Sequence, residues 1–561
     1  MSSAPTVARS DTKVANDPKV EPDNEWTIMI FFAGDPHLSP SMTAQLKSIK
    51  DAGFQKNTTV LIHYDPNEKG VATTTFDINR QQKADTLKMN GNSGTRIGDG
   101  KDPFVRNLIE DSIPNGATRS QNAADALKAF LALALKEHRA KHYVLFCVGH
   151  GVIVGNDFFL PDKQPDSAIT LRELGDILSK FKDCAAGMNN DGEVELIGLH
   201  SCSMSAIEVA YQLKGAAKCL MATEGISFVA SWPYRQLMKK VLKTIDDAKK
   251  AGEKVDVAKL INSVQRLALH NSTDFMFSGL SADLCLSSLD PVKIDALTTP
   301  IQALVKALKE GLKDTRGREL ITLAHLKAQS YWQETYTDLY DFCSCLEQQC
   351  LKEGGEVQKE MAAACQKLRK KLEESPDGVI IQSDFFGPLF QYSHGYSVFF
   401  PWARPFSDVP EDDMILRYKN YEFTKAFSED SWLSFLEEYF IATERKSREV
   451  EDQVAKDKEK NTAKDETKET SARSESGSNG TSAVSSTSGG ESLPVVPPEK
   501  TTPTLDAEKT TPTLTDAMRC TCSVKNYPMK FSTSRSQRVT EDPNPDASKP
   551  AETRAPATVA G

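Results

Sequence analysis

Several things are scarce in this chain, and each shortage closes off a class of protein. Long apolar runs are missing: the stretch Ile28 to Ala33 near the start is far too short to span a bilayer. Residues 1–25 are polar and lack the apolar centre of a secretory signal, so a cytoplasmic location and no membrane partner are expected. Positive charge is in deficit. With 68 basic against 78 acidic residues the net charge is −10, which argues against a nucleic-acid partner. Cysteine is thin and odd in number; 11 thiols scattered over 561 residues make no disulfide scaffold and are expected to be mostly reduced. Cys343-Ser-Cys345 and Cys520-Thr-Cys522 have narrow spacing and no nearby histidine, so no metal ligands are assigned to them. The glycines of Gly91–Lys101 imitate a phosphate loop, but Asp102 follows the lysine where Ser or Thr is needed.

Aromatic residues are missing from both ends. Residues 1–24 hold none, and the tail 445–561 holds only Tyr527 and Phe531 among Ser, Thr, Lys, Glu and Pro. Neither segment has enough apolar surface to offset its chain entropy, so both are expected to be disordered. Within the tail a polar nonapeptide, Glu499–Ala507, is nearly repeated by Glu508–Asp516, which makes a linker rather than a solenoid.

Between those ends, β-branched and aromatic runs alternate with amphipathic ones. Strands are expected at Trp26–Phe32, Thr58–Tyr64, Thr73–Ile78, Tyr143–Val148, Val194–Leu199 and Lys218–Ala222, several of them apolar on both faces. One helix is expected after Ser120 as N-cap, with Leu127, Phe130, Leu131, Ala134 and Leu135 in a stripe; another carries Val257, Leu260, Ile261, Val264 and Leu267. The alternation predicts a doubly wound α/β fold with a mostly parallel sheet flanked by helices. Residues 25–290 form the expected core. Residues 291–444 form a helical subdomain, with a return to strand over 378–401.

Functional groups in such a sheet gather at the carboxyl ends of the parallel strands. Tyr143–Val148 runs into Gly149-His150-Gly151, and Val194–Leu199 runs into His200-Ser201-Cys202, before a helix expected over Ser203–Leu213. A cysteine at a strand-to-helix junction lies near the positive end of the helix dipole, which favours thiolate. A histidine on the neighbouring strand end can exchange protons with it and with a leaving amine. The backbone N–H groups of Gly151 and Cys202 are the candidate oxyanion hole. Spacing alone does not separate this pair from a buried structural cysteine and a core histidine.

The same residues carry a resemblance. Trp26–Asp35, His142–Gly151, Cys202–Leu213, Thr223-Glu224 with Trp232-Pro-Tyr234, Thr337–Phe342 and His394–Pro401 match, in order, blocks of the clostripain-like cysteine peptidases. The likeness covers most of residues 26–440. It implies a caspase-type fold, cysteine endopeptidase activity, and Cys202 with His150 as the catalytic dyad. The sequence departs from the family at three points. His200 stands where an acid that grips a basic P1 side chain is usual, Val152 and Ile153 cut the glycine run short, and Gly225 replaces a second acid. His200, Glu224 and Asp157 are therefore the candidate pocket residues, and the basic P1 preference implied by the family loses its usual support. Asn189–Glu193 contains calcium-type ligands without the full loop pattern and is expected to be a turn before the cysteine strand; calcium is kept as a candidate ion only because the resemblance implies that family members can need it.

The expected function is hydrolysis of a polypeptide through an acyl-enzyme, with no organic or redox cofactor. The resemblance also implies self-cleavage in the polar segment Gly155–Thr170, which contains Lys163. The alternative is a catalytically silent caspase-like scaffold that binds partners, with the C-terminal tail as a docking arm for a protein. Glu208 is expected to be a solvated or capping acid, and Lys367–Lys371 a solvated helix face.

Overall fold

The computed structural model describes residues 24–444 apart from 34–36, 53–57, 66–72, 79–121, 153–157, 164–165, 190–191, 271–280, 374–375, 406–413 and 428. The expected arm up to residue 23, the tail from 445, Gly91–Lys101, Ser120 and Asp157 lie outside the described residues.

The first strands are β1 (Asn24–Phe32), β2 (Thr58–Tyr64), β3 (Thr74–Asp77) and β4 (Ala140–Val148). A small three-stranded sheet follows, of β5 (Gly151–Val152), β6 (Phe158–Lys163) and β7 (Asp166–Ile169). The chain then forms β8 (Glu193–His200), β9 (Cys219–Ala222) and β10 (Ala282–Ser288). Last come β11 (Ser330–Tyr331), β12 (Tyr336–Asp338), β13 (Ile380–Phe386) and β14 (Ser397–Phe399).

Eight of these strands make the main sheet, in the order β13-β10-β9-β8-β4-β1-β2-β3. The five central strands run parallel, while β3, β10 and β13 close the edges antiparallel. Each of the six strands expected from the sequence is present, shifted by at most a few residues at its ends. Central strands are apolar on both sides because both sides are covered. Along β1, Trp26, Ile28, Ile30 and Phe32 enter one core with the helices Ser39–Lys50, Tyr234–Ala251 and Val257–His270. Met29 and Phe31 enter the other, with Ala123–Glu137 and Leu171–Asn189.

The helix expected after Ser120 begins at Ala123, capped by Asn122, whose side chain accepts from the Asp125 N–H at 2.8 Å. Beyond residue 290, the helices Thr298–Lys313, Thr315–Lys327, Leu339–Glu353 and Glu356–Leu372 pack on the second core. Strand β13 from this later part pairs antiparallel with β10 and so supplies an edge of the main sheet. Among the described residues no helix is long and apolar enough to cross a membrane.

Candidate active site

Strands β4 and β8 deliver the two candidate catalytic residues side by side. Val148 is in register with His200, so His150 and Cys202 both lie two residues past a matched pair on strands about 4.8 Å apart. Two hydrogen bonds pin the chain between those points: the Gly149 N–H donates to His200 O at 3.4 Å, and Ser201 Oγ donates to Gly149 O at 2.6 Å. The Leu160 N–H donates to His150 O at 2.9 Å and ties the histidine backbone to β6. Both side chains are buried, Cys202 at 0% and His150 at 5% exposure. Cys202 Sγ lies 3.7 Å from Ser227 O, to which the thiol donates. Eight other cysteines among the described residues are free thiols.

One expectation is corrected. The helix after Cys202 begins at Ile207, not Ser203. Residues Ser203 to Ala206 form an irregular turn, with Ser203 at φ +53° in the left-handed region. The turn is held from outside. The Ser203 N–H donates to Gly225 O at 2.9 Å, the Ser205 N–H to Thr223 O at 2.8 Å, and Ser205 Oγ to Gly395 O at 2.6 Å. A helix dipole fades within its first turn, so one starting five residues away contributes little at the sulfur. Its place is taken by the Ser227 N–H, which donates to Cys202 Sγ at 3.2 Å. A donor aimed at the sulfur favours the thiolate.

The pocket candidates occupy different settings. His200 is fully buried and stacked on Trp232, with ring centroids 4.3 Å apart. Its Nε2 lies 2.8 Å from Phe228 O, which only accepts, so Nε2 carries the proton and Nδ1 accepts from the Tyr234 hydroxyl at 3.1 Å. Burial lowers its pKa to about 3, so the ring is neutral at ordinary pH. Glu224 is also fully buried and accepts from the Gly395 N–H at 2.9 Å. Burial, with the charges of Asp338 and Asp283, raises its pKa well above the usual carboxylate range. Asp157 lies outside the described residues.

Residues not singled out from the sequence complete the arrangement. Asp283 on β10 accepts from the backbone N–H groups of Glu224 at 2.6 Å and Gly225 at 3.0 Å, and burial pushes its pKa up to about 7. Asp338 caps the helix Leu339–Glu353 through the Asp341 N–H at 2.7 Å and accepts from the His394 N–H at 2.6 Å. The blocks Thr337–Phe342 and His394–Pro401 thus serve as supports for the two segments that flank Cys202. Glu208 corrects another expectation. It is fully buried, accepting from the Phe399 N–H at 2.9 Å and the Tyr418 hydroxyl at 2.6 Å. Burial raises its pKa to about 7. A single sequence gives little sign of this, because a helical Glu looks alike whether buried or solvated.

For the candidate calcium ion, the only group of metal-capable side chains within mutual reach among the described residues is His142, Glu193 and Glu195. It lies at the amino ends of β4 and β8, away from Cys202. Lys218 Nζ already bridges Glu193 at 2.5 Å and Glu195 at 3.1 Å, and His142 Nδ1 is 2.7 Å from Glu195. An imidazole and an ammonium suit an ion-pair network and do not fit calcium, which takes six to eight oxygens.

Comparison with known proteins gives the following. The model of the Clostripain family, peptidase C11, matches residues 32–473. A search of the curated proteins finds no match. Among solved structures, a secreted C11 cysteine protease from Bacteroides thetaiotaomicron, in complex with an irreversible peptide inhibitor, is 13% identical. The alignment covers 72% of this chain and 99% of that one, with a TM-score of 0.46. An inactive zymogen C11 protease from Parabacteroides distasonis is 15% identical over 72% of this chain and 99% of its own, with a TM-score of 0.40.

Proposed function

Because the chain belongs to the Clostripain family of C11 cysteine peptidases, we propose that Cys202 is its nucleophile and His150 its proton carrier. The observation that supports this most directly is the shared register of β4 and β8, which sets both residues just past matched strand ends. Reduced Cys202, ionised with help from the Ser227 N–H, attacks the scissile carbonyl and forms a thioester as the C–N bond breaks. His150 passes a proton to the departing amine, and water assisted by the same imidazole then releases the acyl half. Gly151 and Cys202 are the proposed oxyanion donors. A Cβ on Gly151 would lie 3.0 Å from Ser201 Cβ and 3.1 Å from Phe159 Cδ2, so only glycine fits there without displacing a neighbour.

Neither described pocket candidate supports a basic P1 residue. His200 is neutral and sealed, and Glu224 is sealed with its carboxyl held toward the protonated form. The test has two steps. After reduction by dithiothreitol, iodoacetamide is expected to alkylate Cys202 ahead of the other thiols, and a peptide library then reports P1. Reduced protein that alkylates elsewhere first and cleaves no peptide would favour the scaffold reading instead.

A further inference from the structure

We infer that Asp283, on the strand beside β9, is a positioning residue for the peptidase: its carboxylate shapes Thr223–Ser227 so that the Ser227 N–H is held on the Cys202 sulfur. The inference rests on the peptidase reading for its effect on cleavage, but its effect on the thiol is measurable without any substrate.

Thr223–Ser227 meets the turn around Cys202 at three alternate residues. Thr223 O accepts from the Ser205 N–H at 2.8 Å, Gly225 O accepts from the Ser203 N–H at 2.9 Å, and the Ser227 N–H donates to Cys202 Sγ at 3.2 Å. This segment has already left the main sheet. β9 ends at Ala222, opposite Cys285 on β10, and the same register carried two residues further sets Glu224 opposite Asp283. There the acceptors come from a side chain instead of a backbone carbonyl. Asp283 Oδ2 accepts from the Glu224 N–H at 2.6 Å, and Oδ1 accepts from the Gly225 N–H at 3.0 Å. Both residues are buried, and a buried N–H without an acceptor is costly, so the segment has to shift if the carboxylate is lost.

The fit around that carboxylate is close. A Cβ on Gly225 would lie 2.9 Å from Asp283 Oδ1 and 2.7 Å from Phe390 Cζ, so glycine is what lets the carboxylate reach both N–H groups. The acid missing at position 225 and the acid present at 283 are two halves of one contact. Asp283 is 2% exposed, which suits a backbone clamp better than a group that grips a substrate side chain. The other ionisable groups that face it are Glu224, Asp338 and Tyr331. Glu224 and Asp338 bond the N–H groups of Gly395, Asp341 and His394 instead, and the Tyr331 hydroxyl is 2.6 Å from Ser393 Oγ. A donor aimed at the sulfur favours the thiolate. By fixing the segment that carries this donor, Asp283 acts on the ionisation of Cys202 through Ser227.

The experiment follows the rate at which iodoacetamide alkylates Cys202 against pH, read by mass spectrometry of its peptide, in full-length protein reduced with dithiothreitol. The parent is compared with Asp283→Asn, whose amide oxygen can accept from only one of the two N–H groups, and with Gly225→Ala, which keeps the acid but displaces it. His150 is present in all three proteins. In both variants the midpoint of the profile should rise by about one pH unit, which means about tenfold slower alkylation below it and the parent's rate above it. Cleavage of the best library peptide near neutral pH should fall about tenfold in kcat, with KM within about twofold. Removing a nearby negative charge would by itself lower the midpoint, so the sign separates the two effects. A midpoint unchanged or lowered in either variant, or a rate lost equally at every pH, overturns the role of Asp283. Where Asp283→Asn does not fold, as judged by urea unfolding, Gly225→Ala decides. A parent protein that cleaves no peptide removes the peptidase reading alone, because the alkylation profile still reports on the clamp.

Discussion

Glu208 links protonation to folding in a way that can be measured without knowing the substrate. Its pKa is raised from 4.5 to about 7 by burial, so the folded chain holds this proton more tightly than the unfolded chain does. The resulting contribution to stability is fully present below pH 4.5 and drains away as pH rises toward 7. The difference of about 2.5 units, at 1.36 kcal/mol each, amounts to about 3 kcal/mol. Glu208→Gln removes the ionisation while its carbonyl can still accept from the Phe399 N–H and the Tyr418 hydroxyl. Urea unfolding of the two proteins, both carrying Cys202→Ala to prevent self-digestion, is compared at about pH 5 and about pH 8. The variant should gain roughly 2–3 kcal/mol on the parent between those conditions, most of it below pH 7. A gap constant to within about 0.5 kcal/mol would show that Glu208 is ionised in the folded state or meets water, and the burial argument would fail.

Three further outcomes are expected. Ser201→Ala removes the hydroxyl that grips Gly149 O at 2.6 Å; kcat should fall about tenfold, as one buried hydrogen bond implies, while KM and the alkylation of Cys202 change little. Equal losses in kcat and alkylation would point to misfolding. His200→Asp restores the acid usual in the family but buries a carboxylate beside Trp232 and Phe228 O, where the imidazole now donates. It should cost about 3 kcal/mol or more in urea unfolding and bring no cleavage after Arg or Lys. For self-cleavage, reduced full-length protein should yield fragments on a gel that Cys202→Ala does not; matching patterns in the two would remove the autoprocessing proposal.

The sheet was legible because burial on both faces writes itself as unbroken apolar runs. Ile28–Phe32 and Tyr143–Val148 could be read as strands without any partner in view. The placement of two reactive residues at neighbouring strand ends followed from the alternation rule and the resemblance, whereas the order of the eight strands came only from the structure. What escaped notice was long-range and polar. The helix expected from Ser203 starts at Ile207 because the N–H groups of Ser203 and Ser205 donate to Gly225 O and Thr223 O and the Ser205 hydroxyl donates to Gly395 O, partners that no local pattern names. Ser227, Asp283 and Asp338 each make hydrogen bonds to residues far along the chain. Ser227 and Asp283 stand in no periodic pattern and in none of the matched blocks, whereas Asp338 lies within the matched block Thr337–Phe342.

These long-range contacts share a direction. Residues of the later part reach back to the segments around Cys202: Gly395 N–H to Glu224 at 2.9 Å, Ser397 N–H to Ser205 O at 3.0 Å, and Phe399 N–H to Glu208 at 2.9 Å. Each acceptor lies on a stretch with no strand partner of its own, where a buried carbonyl or carboxyl left unbonded costs about 1–3 kcal/mol. The turn after Cys202 therefore depends on residues nearly two hundred positions later to keep its irregular shape. An irregular turn is what allows the Ser227 N–H, rather than a helix end, to meet the sulfur. The late blocks of the chain are in this sense part of the candidate catalytic site, through the backbone N–H groups of Gly395, Ser397 and Phe399.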